Sequence, residues 1–265
     1  MSELRVVFTE TSVNPWTNLA WEGAFLHSRC SDRTVDALRI RQNKNAVEIG
    51  VFQRASEEVN LKYPEQKEAG IVKRFAEGVA VYQDPGSLNS ALSVKPINEK
   101  GNADYLCIDI LKGVDRALEE LGLNPSVQNV NDVIIGDRKV VGVAASLRGE
   151  QNCGFIHGAV LYSVDLDVLA SLSKTPLKKP PDKGILSVKY RVTNISALKP
   201  RVRVEDIARA LIKSFMETLN MKAWYSDLPR PREIEVAEKP SPPSIVRPSG
   251  ILREKGNSTR EGQVI

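Results

Sequence analysis

Three short stretches each bring a glycine, a cation or a polar side chain to the end of a run with strand character. KRFAEGVAVYQD (73–84) carries Arg74, Gly78, Gln83 and Asp84. NVNDVIIGDRKVVGVAAS (129–146) carries Asn131, Asp132, Lys139 and Gly142. CGFIHGAVL (153–161) carries His157 and Gly158. These residue types suit chemistry at an anion: a fixed ammonium offsets developing negative charge, and a glycine lets backbone N–H groups approach a phosphate without a Cβ in the way. Each also has a plain structural role open to it. Arg74 suits a solvated strand surface, Lys139 the solvent beside the turn Gly136-Asp137-Arg138, His157 a hydrogen-bonded core position, and Gly78 a bulge or tight bend.

The elements that must position these residues follow from periodicity. RVVFTE (5–10) reads as a strand. The helix after it has Asn14 as N-cap and Pro15 near its start, with Trp16, Leu19, Ala20, Gly23, Phe25 and Leu26 along a broad apolar face. ALRIRQ (37–42) and AVEIGVFQ (46–53) read as two strands of a hairpin, GIVKRF and AVYQD flank Gly78, and a turn at Pro85-Gly86 leads into a further strand to Lys95. Residues 104–123 form the clearest helical pattern, with Leu106, Ile110, Leu111, Val114, Leu118 and Leu121 in phase and Gly122 at the end. A hairpin turning at Gly136-Asp137 spans 131–147. A strand over 154–166, a short helix over 167–172 and a last helix over 203–219 complete the pattern. Strands and helices alternate irregularly, without a βαβαβ rhythm. The expected class is α+β, with helices packed on a mixed or antiparallel sheet.

Composition bounds the function. Hydrophobic residues make up 42% and charged residues 26% of the 265, ordinary for a chain with a real core. A net charge of +4 without a basic stripe suits a small anion or an acidic protein and argues against nucleic acid. No apolar run reaches bilayer length and no secretory signal opens the chain, so a soluble cytoplasmic protein is expected. Cys30, Cys107 and Cys153 lie far apart without CxxC spacing, which indicates neither a zinc site nor a disulfide framework. From residue 226 onward, prolines and mixed charge replace large apolar residues. The expected organisation is therefore a folded domain over 1–225 and a tail over 226–265 that is disordered or ordered by a partner.

The order of these stretches resembles the lipoate–protein ligase A family, within the wider group of biotin and lipoate protein ligases. NPWTNLAWEG matches the family's NPWxNLAxEE helix opening, and KRFAEGVAVYQDPGSLN matches an arginine strand, a triple-glycine loop and AVYHDxGxLN. NDVIIGDRKVVGVA matches an Asn-Asp pair followed by GxRKxxGxA. GFIHGAVLYSVDLDVL and RVTNI complete a collinear match from about residue 5 to 220. The resemblance implies an α+β catalytic domain that uses ATP and Mg²⁺ to activate lipoate as lipoyl-AMP and passes the acyl group to a lysine of an acceptor protein domain. It implies Lys139 as the catalytic lysine. It also implies Arg74, Gly78, Gln83, Asn131, Asp132, Gly142 and His157 as residues of the substrate and adenylate pocket, without assigning a metal-ligand set. A separate accessory ligase subunit is implied as partner, since no further foldable unit is expected after 225.

The chain departs from that pattern in places. Glu77 and Val79 stand where the family has glycines, Gln83 replaces a histidine, and Gly23 replaces the helix's second glutamate. A carboxylate about 5 Å from a phosphate oxygen at an effective dielectric near 20 costs on the order of 3 kcal/mol, more than a hundredfold in affinity. Two other readings therefore stand beside the ligase: a non-catalytic paralogue that binds a partner protein, and an octanoyl or other acyl transferase using Cys153. In an extended strand Cys153 and His157 share a face but lie roughly 13 Å apart, too far for a direct pair.

Overall fold

The computed structural model describes residues 3–9, 15–62, 69–95, 108, 110–128, 131–148, 150–172 and 191–239. In chain order these give β1 (Glu3–Phe8), α1 (Pro15–Cys30), β2 (Ala37–Gln42), β3 (Ala46–Ile49), α2 (Ala55–Glu58), β4 (Gly70–Lys73), β5 (Val81–Gln83) and β6 (Ser87–Val94). There follow α3 (Ile110–Glu120), β7 (Pro125–Gln128), β8 (Asp132–Ile135), β9 (Arg138–Arg148) and β10 (Cys153–Leu161). The last described elements are α4 (Leu166–Leu172), α5 (Ile195–Leu198), α6 (Val204–Thr218), β11 (Ala223–Ser226) and α7 (Pro231–Glu238). No described helix is long and apolar enough to cross a membrane.

Eight strands form one mixed sheet in the order β11-β1-β2-β6-β10-β9-β8-β7, with β1 parallel to both β11 and β2 and the other pairs antiparallel. The expected α+β class with a mixed sheet is what the chain adopts. Period-two alternation sorts the side chains between two covered faces. Leu4, Val6, Leu38, Ile40, Leu88, Leu92, Ile156 and Val160 pack against Ile110, Leu111, Val114 and Leu118 of α3 and Ile207, Leu211 and Phe215 of α6. Those two helices approach closely because position 113 is glycine: a Cβ there would lie 2.9 Å from Thr218 Oγ1 and 3.2 Å from the Phe215 ring. The alternate residues Arg5, Arg39, Arg41 and His157 belong to the opposite face, beneath α1 and α7, and that face holds the candidate site.

The two strands expected to form a hairpin do not pair. β2 already has β1 on one side and β6 on the other, so neither edge is free for β3. β3 instead centres a three-stranded sheet, parallel to β4 and antiparallel to β5, and ends at Ile49 rather than Gln53. Its own small core is Val47, Ile49, Val59, Ile71, Tyr82, Leu161, Val164 and Leu172. The hairpin at 131–147 is present as β8 and β9, with Gly136 at φ +65° in the turn. The proposed Asn14 cap and residues 104–107 of the expected long helix lie outside the described residues.

Two further expectations need correction. Cys30 and Cys153 form a disulfide with Cα atoms 5.4 Å apart, although 123 positions separate them in sequence. Spacing rules see local cysteine patterns, and this pair is brought together by the packing of α1 on β10. The chain past residue 225 is also not a tail throughout: β11 runs to Ser226 alongside β1, and α7 lies on α1. Residues 240–265 fall outside the described residues.

What fixes α7 is an ion pair, not an apolar stripe. Arg5 donates from Nη1 to Glu233 Oε1 at 2.6 Å and from Nη2 to Glu233 Oε2 at 2.9 Å, and both side chains are 0% exposed. Arg5 Nε adds a bond to Asp227 at 2.8 Å, and the guanidinium lies 5.4 Å from the centre of the Phe25 ring. Breaking such a pair from one side leaves a buried charge uncompensated. Glu233→Ala is expected to cost about 3 kcal/mol in urea unfolding while α3 and α6 keep their helicity; an unchanged midpoint would mean α7 contributes nothing to the fold.

Candidate functional site

Lys139 reaches the site through an irregularity in its strand. Across the β8–β9 hairpin Val133 faces Val141 and Ile134 faces Lys139, so Val140 is an extra residue, a β-bulge. In a regular strand Lys139 and Gly142, three apart, would project to opposite faces. The bulge puts both on the wall of one cleft. Gly142 then makes room for the lysine: a Cβ there would lie 2.8 Å from Lys139 Nζ and 2.9 Å from Cε. Lys139 Nζ is paired with Asp132 Oδ1 at 2.5 Å, and the Lys139 carbonyl accepts from the Thr193 amide at 3.0 Å.

The cleft offers about 500 Å³, and its wall includes Arg41, Arg74, Gly78, Gln83, Asn131, Lys139, Gly142 and His157. Of the eight residues that the family resemblance implies, seven are thus brought together, and the eighth, Asp132, touches Lys139. A second cleft of about 870 Å³ continues from it. Val79, Val81, Lys139, Gly142 and Ala159 line both, and Val47, Val59, Tyr82, Leu161, Leu169, Leu172 and Val192 make the second one apolar. Lys139 therefore sits where a polar cavity meets an apolar one.

Arg74 has a different task from the one its charge suggests. Its guanidinium donates to three carbonyls: Glu48 at 3.1 Å, Glu77 at 3.0 Å and Val79 at 2.9 Å. It braces the loop that Gly78 turns. Gly78 has φ +110°, where a side chain is strained, and a Cβ there would meet Arg74 Nη2 at 2.7 Å. On the other side a Cβ on Gly50 would lie 2.2 Å from the Gly78 carbonyl oxygen. With the carbonyls of residues 77 and 79 turned onto Arg74, the amides that follow them face the other way. The Glu77 and Val79 side chains are exposed, and Glu77 makes no ion pair among the described residues. The repulsion expected from Glu77 is correspondingly weaker, since an exposed charge is screened by water.

Behind the cleft runs a buried polar network that sequence reasoning missed. Glu22, on α1, accepts from Arg41 at 2.6 and 2.9 Å and from His157 Nδ1 at 3.1 Å. Arg41 also donates to Glu48 at 3.2 Å. Asn43 donates to Glu48 and to Gln83, whose Oε1 accepts from Arg41 as well. Asn18, one helical turn before Glu22, donates to Asn43 and accepts from Arg39 at 2.7 Å. The signal was available: Asn18 and Glu22 share one helical face, and ALRIRQ places Arg39 and Arg41 on one strand face.

Burial pushes the Glu22 carboxyl up, but Arg41, then the hydrogen bond from His157 and the charges of His157 and Arg39, bring it down to about 2. A carboxylate that stays ionised only accepts, so His157 carries its proton on Nδ1 and presents Nε2 as the other ring nitrogen. Arg39 pairs with no carboxylate among the described residues; burial and the neighbouring charge of Arg41 lower it to about 9. His157 also lies among aromatic rings, 5.4 Å from Phe155 and 6.5 Å from Phe75 between ring centres. Cys153, four residues before it, is held in the disulfide and offers no thiol nucleophile in this state.

The profile of the lipoyl protein ligase A/B catalytic domain matches residues 14–216, and the protein described as lipoate-protein ligase A subunit 1 of Thermoplasma acidophilum is 31% identical over 230 residues, 83% of this chain and 85% of that protein. This chain belongs to that ligase family. Among solved structures, a bi-partite lipoate protein ligase of an archaeal lipoylation system, studied with its E2 lipoyl domain from the same archaeon, superposes with a TM-score of 0.80. It is 29% identical, with 89% of this chain and 91% of that one covered. A lipoate-protein ligase A bound with ATP superposes with a TM-score of 0.77 at 27% identity, over 89% of this chain and 92% of that one.

Two outcomes follow from this geometry. Gly142→Ala displaces only the flexible end of Lys139, so thermal stability is expected to change by less than about 1 kcal/mol while any activity that depends on Lys139 drops at least tenfold; a fully active variant would separate Lys139's position from function. The lowered Glu22 carboxyl stabilises the fold above its ordinary value of 4.5, and that contribution is lost as the pH falls from there toward 2. Glu22→Gln is therefore expected to unfold at a lower denaturant concentration at pH 7 and to lose less stability than the parent between pH 5 and pH 3, measured by urea titration.

Proposed function

We propose that the protein activates lipoate, or a closely related medium-chain acyl carboxylate, with ATP and transfers the acyl group to a lysine of a small acceptor protein domain. The observation that carries this reading is the position of Lys139 at the junction of a polar and an apolar cleft. The apolar cleft suits the acyl chain, with its carboxylate ending at Lys139. The polar cleft, with Lys139, Arg41 and backbone amides of the braced Gly78 loop, suits the nucleotide.

In this reading the acyl carboxylate and the α-phosphate are both anionic, and Lys139 stands between them so that the attacking oxygen can reach phosphorus. Pyrophosphate leaves and the acyl-adenylate remains. The same ammonium then polarises the acyl carbonyl while the acceptor amine attacks and AMP departs. Asp132 holds the Lys139 ammonium before substrate arrives, which keeps it aimed across the cleft. Asp132, beside the cleft at Lys139, is also the carboxylate that fits Mg²⁺, which binds through one or two carboxylates together with substrate phosphates; Glu22 and Glu48 are engaged by Arg41. When bound, Mg²⁺ would offset phosphate charge. Among the described residues no group of three or more His, Cys, Asp or Glu side chains is placed to hold a metal ion.

The bi-partite organisation of the Thermoplasma ligase and its lipoyl domain supports a second polypeptide as accessory partner and a lipoyl-type domain as acceptor. Lys139→Ala should abolish acyl-adenylate formation, read as carboxylate-dependent ATP–pyrophosphate exchange, with the melting temperature retained. Exchange at the parent rate would remove Lys139 from the chemistry. Glu77→Gly should raise ATP affinity by less than about tenfold, because its charge is exposed; a hundredfold gain in a titration would mean that Glu77 turns into the phosphate site.

A further inference from the structure

The Cys30–Cys153 disulfide joins the two elements that meet behind the site. Cys30 is the last residue of α1, which carries Glu22 two turns earlier, and Cys153 is the first residue of β10, which carries His157 four residues later. Two ties thus hold α1 to β10, one covalent and one the Glu22–His157 hydrogen bond. Phe155 lies between them on the strand, its ring tilted at 54° against that of Phe75 with centres 4.9 Å apart, and Phe75 follows the loop-bracing Arg74. Releasing one tie must shift load onto the other.

The two cysteines differ in access. Cys153 is fully buried, whereas Cys30 is half-buried and lines a surface cleft of about 780 Å³ together with Gly23, His27, Phe75, Arg148 and Gln151. Gly23 helps open that cleft: nothing lies within 4 Å of where its Cβ would be. The charged surroundings are mainly cationic. Arg148 pairs with Cys153 across β9 and β10 and has no carboxylate partner among the described residues; Lys95 Nζ donates to the Cys30 carbonyl at 3.4 Å, and Arg29 precedes Cys30, these last two cations being engaged by Asp32 and Asp36. Cations stabilise both an arriving thiolate and a leaving one.

We propose that Cys30–Cys153 is a reversible thiol–disulfide exchange site, entered from this cleft by a small dithiol, and that its state sets how firmly Glu22 and His157 are held; the effect on ligand binding rests on the ligase reading above. One thiolate of the dithiol attacks Cys30 Sγ, the Sγ–Sγ bond breaks, and Cys153 leaves as thiolate. The second thiol of the reagent then attacks the reagent's own sulfur in the mixed disulfide, releasing the Cys30 thiolate and a cyclic disulfide. Two electrons and two protons pass from the dithiol to the protein, and an oxidised dithiol returns them in reverse.

The test uses the full chain purified without reductant. Native protein is incubated with dithiothreitol, quenched with N-ethylmaleimide under denaturing conditions and weighed. Adduct count is expected to rise from one, at Cys107, to three, and oxidised dithiothreitol should restore one. The reduced protein and Cys30→Ser should both melt roughly 10 °C lower than the oxidised form, because a long loop is no longer closed. Both should also bind ATP about fivefold more weakly well below either melting point, and reoxidation should rescue the reduced parent but not the variant. Three adducts before any reductant, or a disulfide that yields only after unfolding, would overturn the exchange site. Equal ATP affinity in the two states would overturn its link to the ligand site. If neither state binds ATP, the ligase reading fails, and the exchange site stands or falls on adduct count and melting temperature alone.

Discussion

The fold of the site depends on keeping three arginines charged inside the protein. Arg39, Arg41 and Arg74 are all nearly inaccessible to water, and among the described residues the carboxylates that pair with any of them are Glu22 and Glu48. A buried ion that is not paired or richly hydrogen-bonded costs several kcal/mol, so every donor must find an acceptor. Arg41 takes both carboxylates. Arg39 takes the backbone and side-chain oxygens of Asn18, and Arg74 takes loop carbonyls. Arg39 and Arg41, on β2, tie α1 to the large sheet through Asn18 and Glu22 and tie β3 to it through Glu48, while Arg74, just past β4, ties the Gly78 loop to β3 of the smaller sheet. The three-stranded sheet and the helix are thus held to the large sheet by polar directionality rather than by shape alone, which places each wall of the cleft at a defined angle.

Directional bonding also explains why the cleft has two characters. Where β2 and α1 contribute, the wall is polar because the arginine network ends there. Where β3, β10 and α4 contribute, their alternate residues are aliphatic and the wall is dry. Lys139 stands on the boundary with one carboxylate for company. A charge at the edge of an apolar space is held less by water than a surface lysine is, and a carboxylate ligand entering that space would meet it with little competing solvent.

Much of this was legible in the sequence. Periodicity located α1, β6, α3, the β8–β9 hairpin, α4 and α6, because each is amphipathic at its own period. The collinear motifs named seven of the residues that line the cleft. What stayed hidden was long-range or inverted. The separation of β2 from β3 depends on β1 and β6 claiming both edges of β2, which no local turn signal records. Cys30 and Cys153 meet only through the packing of α1 on β10. Arg39 and Arg41 alternate with Leu38 and Ile40 as a half-solvated strand would, yet both faces are covered; Glu233 likewise reads as surface and is buried against Arg5. Buried charge is the recurring blind spot, since pattern rules assign charged residues to water.

The bulge at Val140 carries a consequence for parity. Strand positions obey a two-fold count, and an interval of three between a lysine and the glycine that accommodates it is odd. The interval works only while one residue is left uncounted by the partner strand. The geometry of Lys139 is therefore encoded less by its own identity than by a counting error that β8 fails to correct. Were Val140 paired with β8 in a regular ladder, the chain would keep the same lysine, the same glycine and the same hairpin, and would present the ammonium to the wrong side of the sheet.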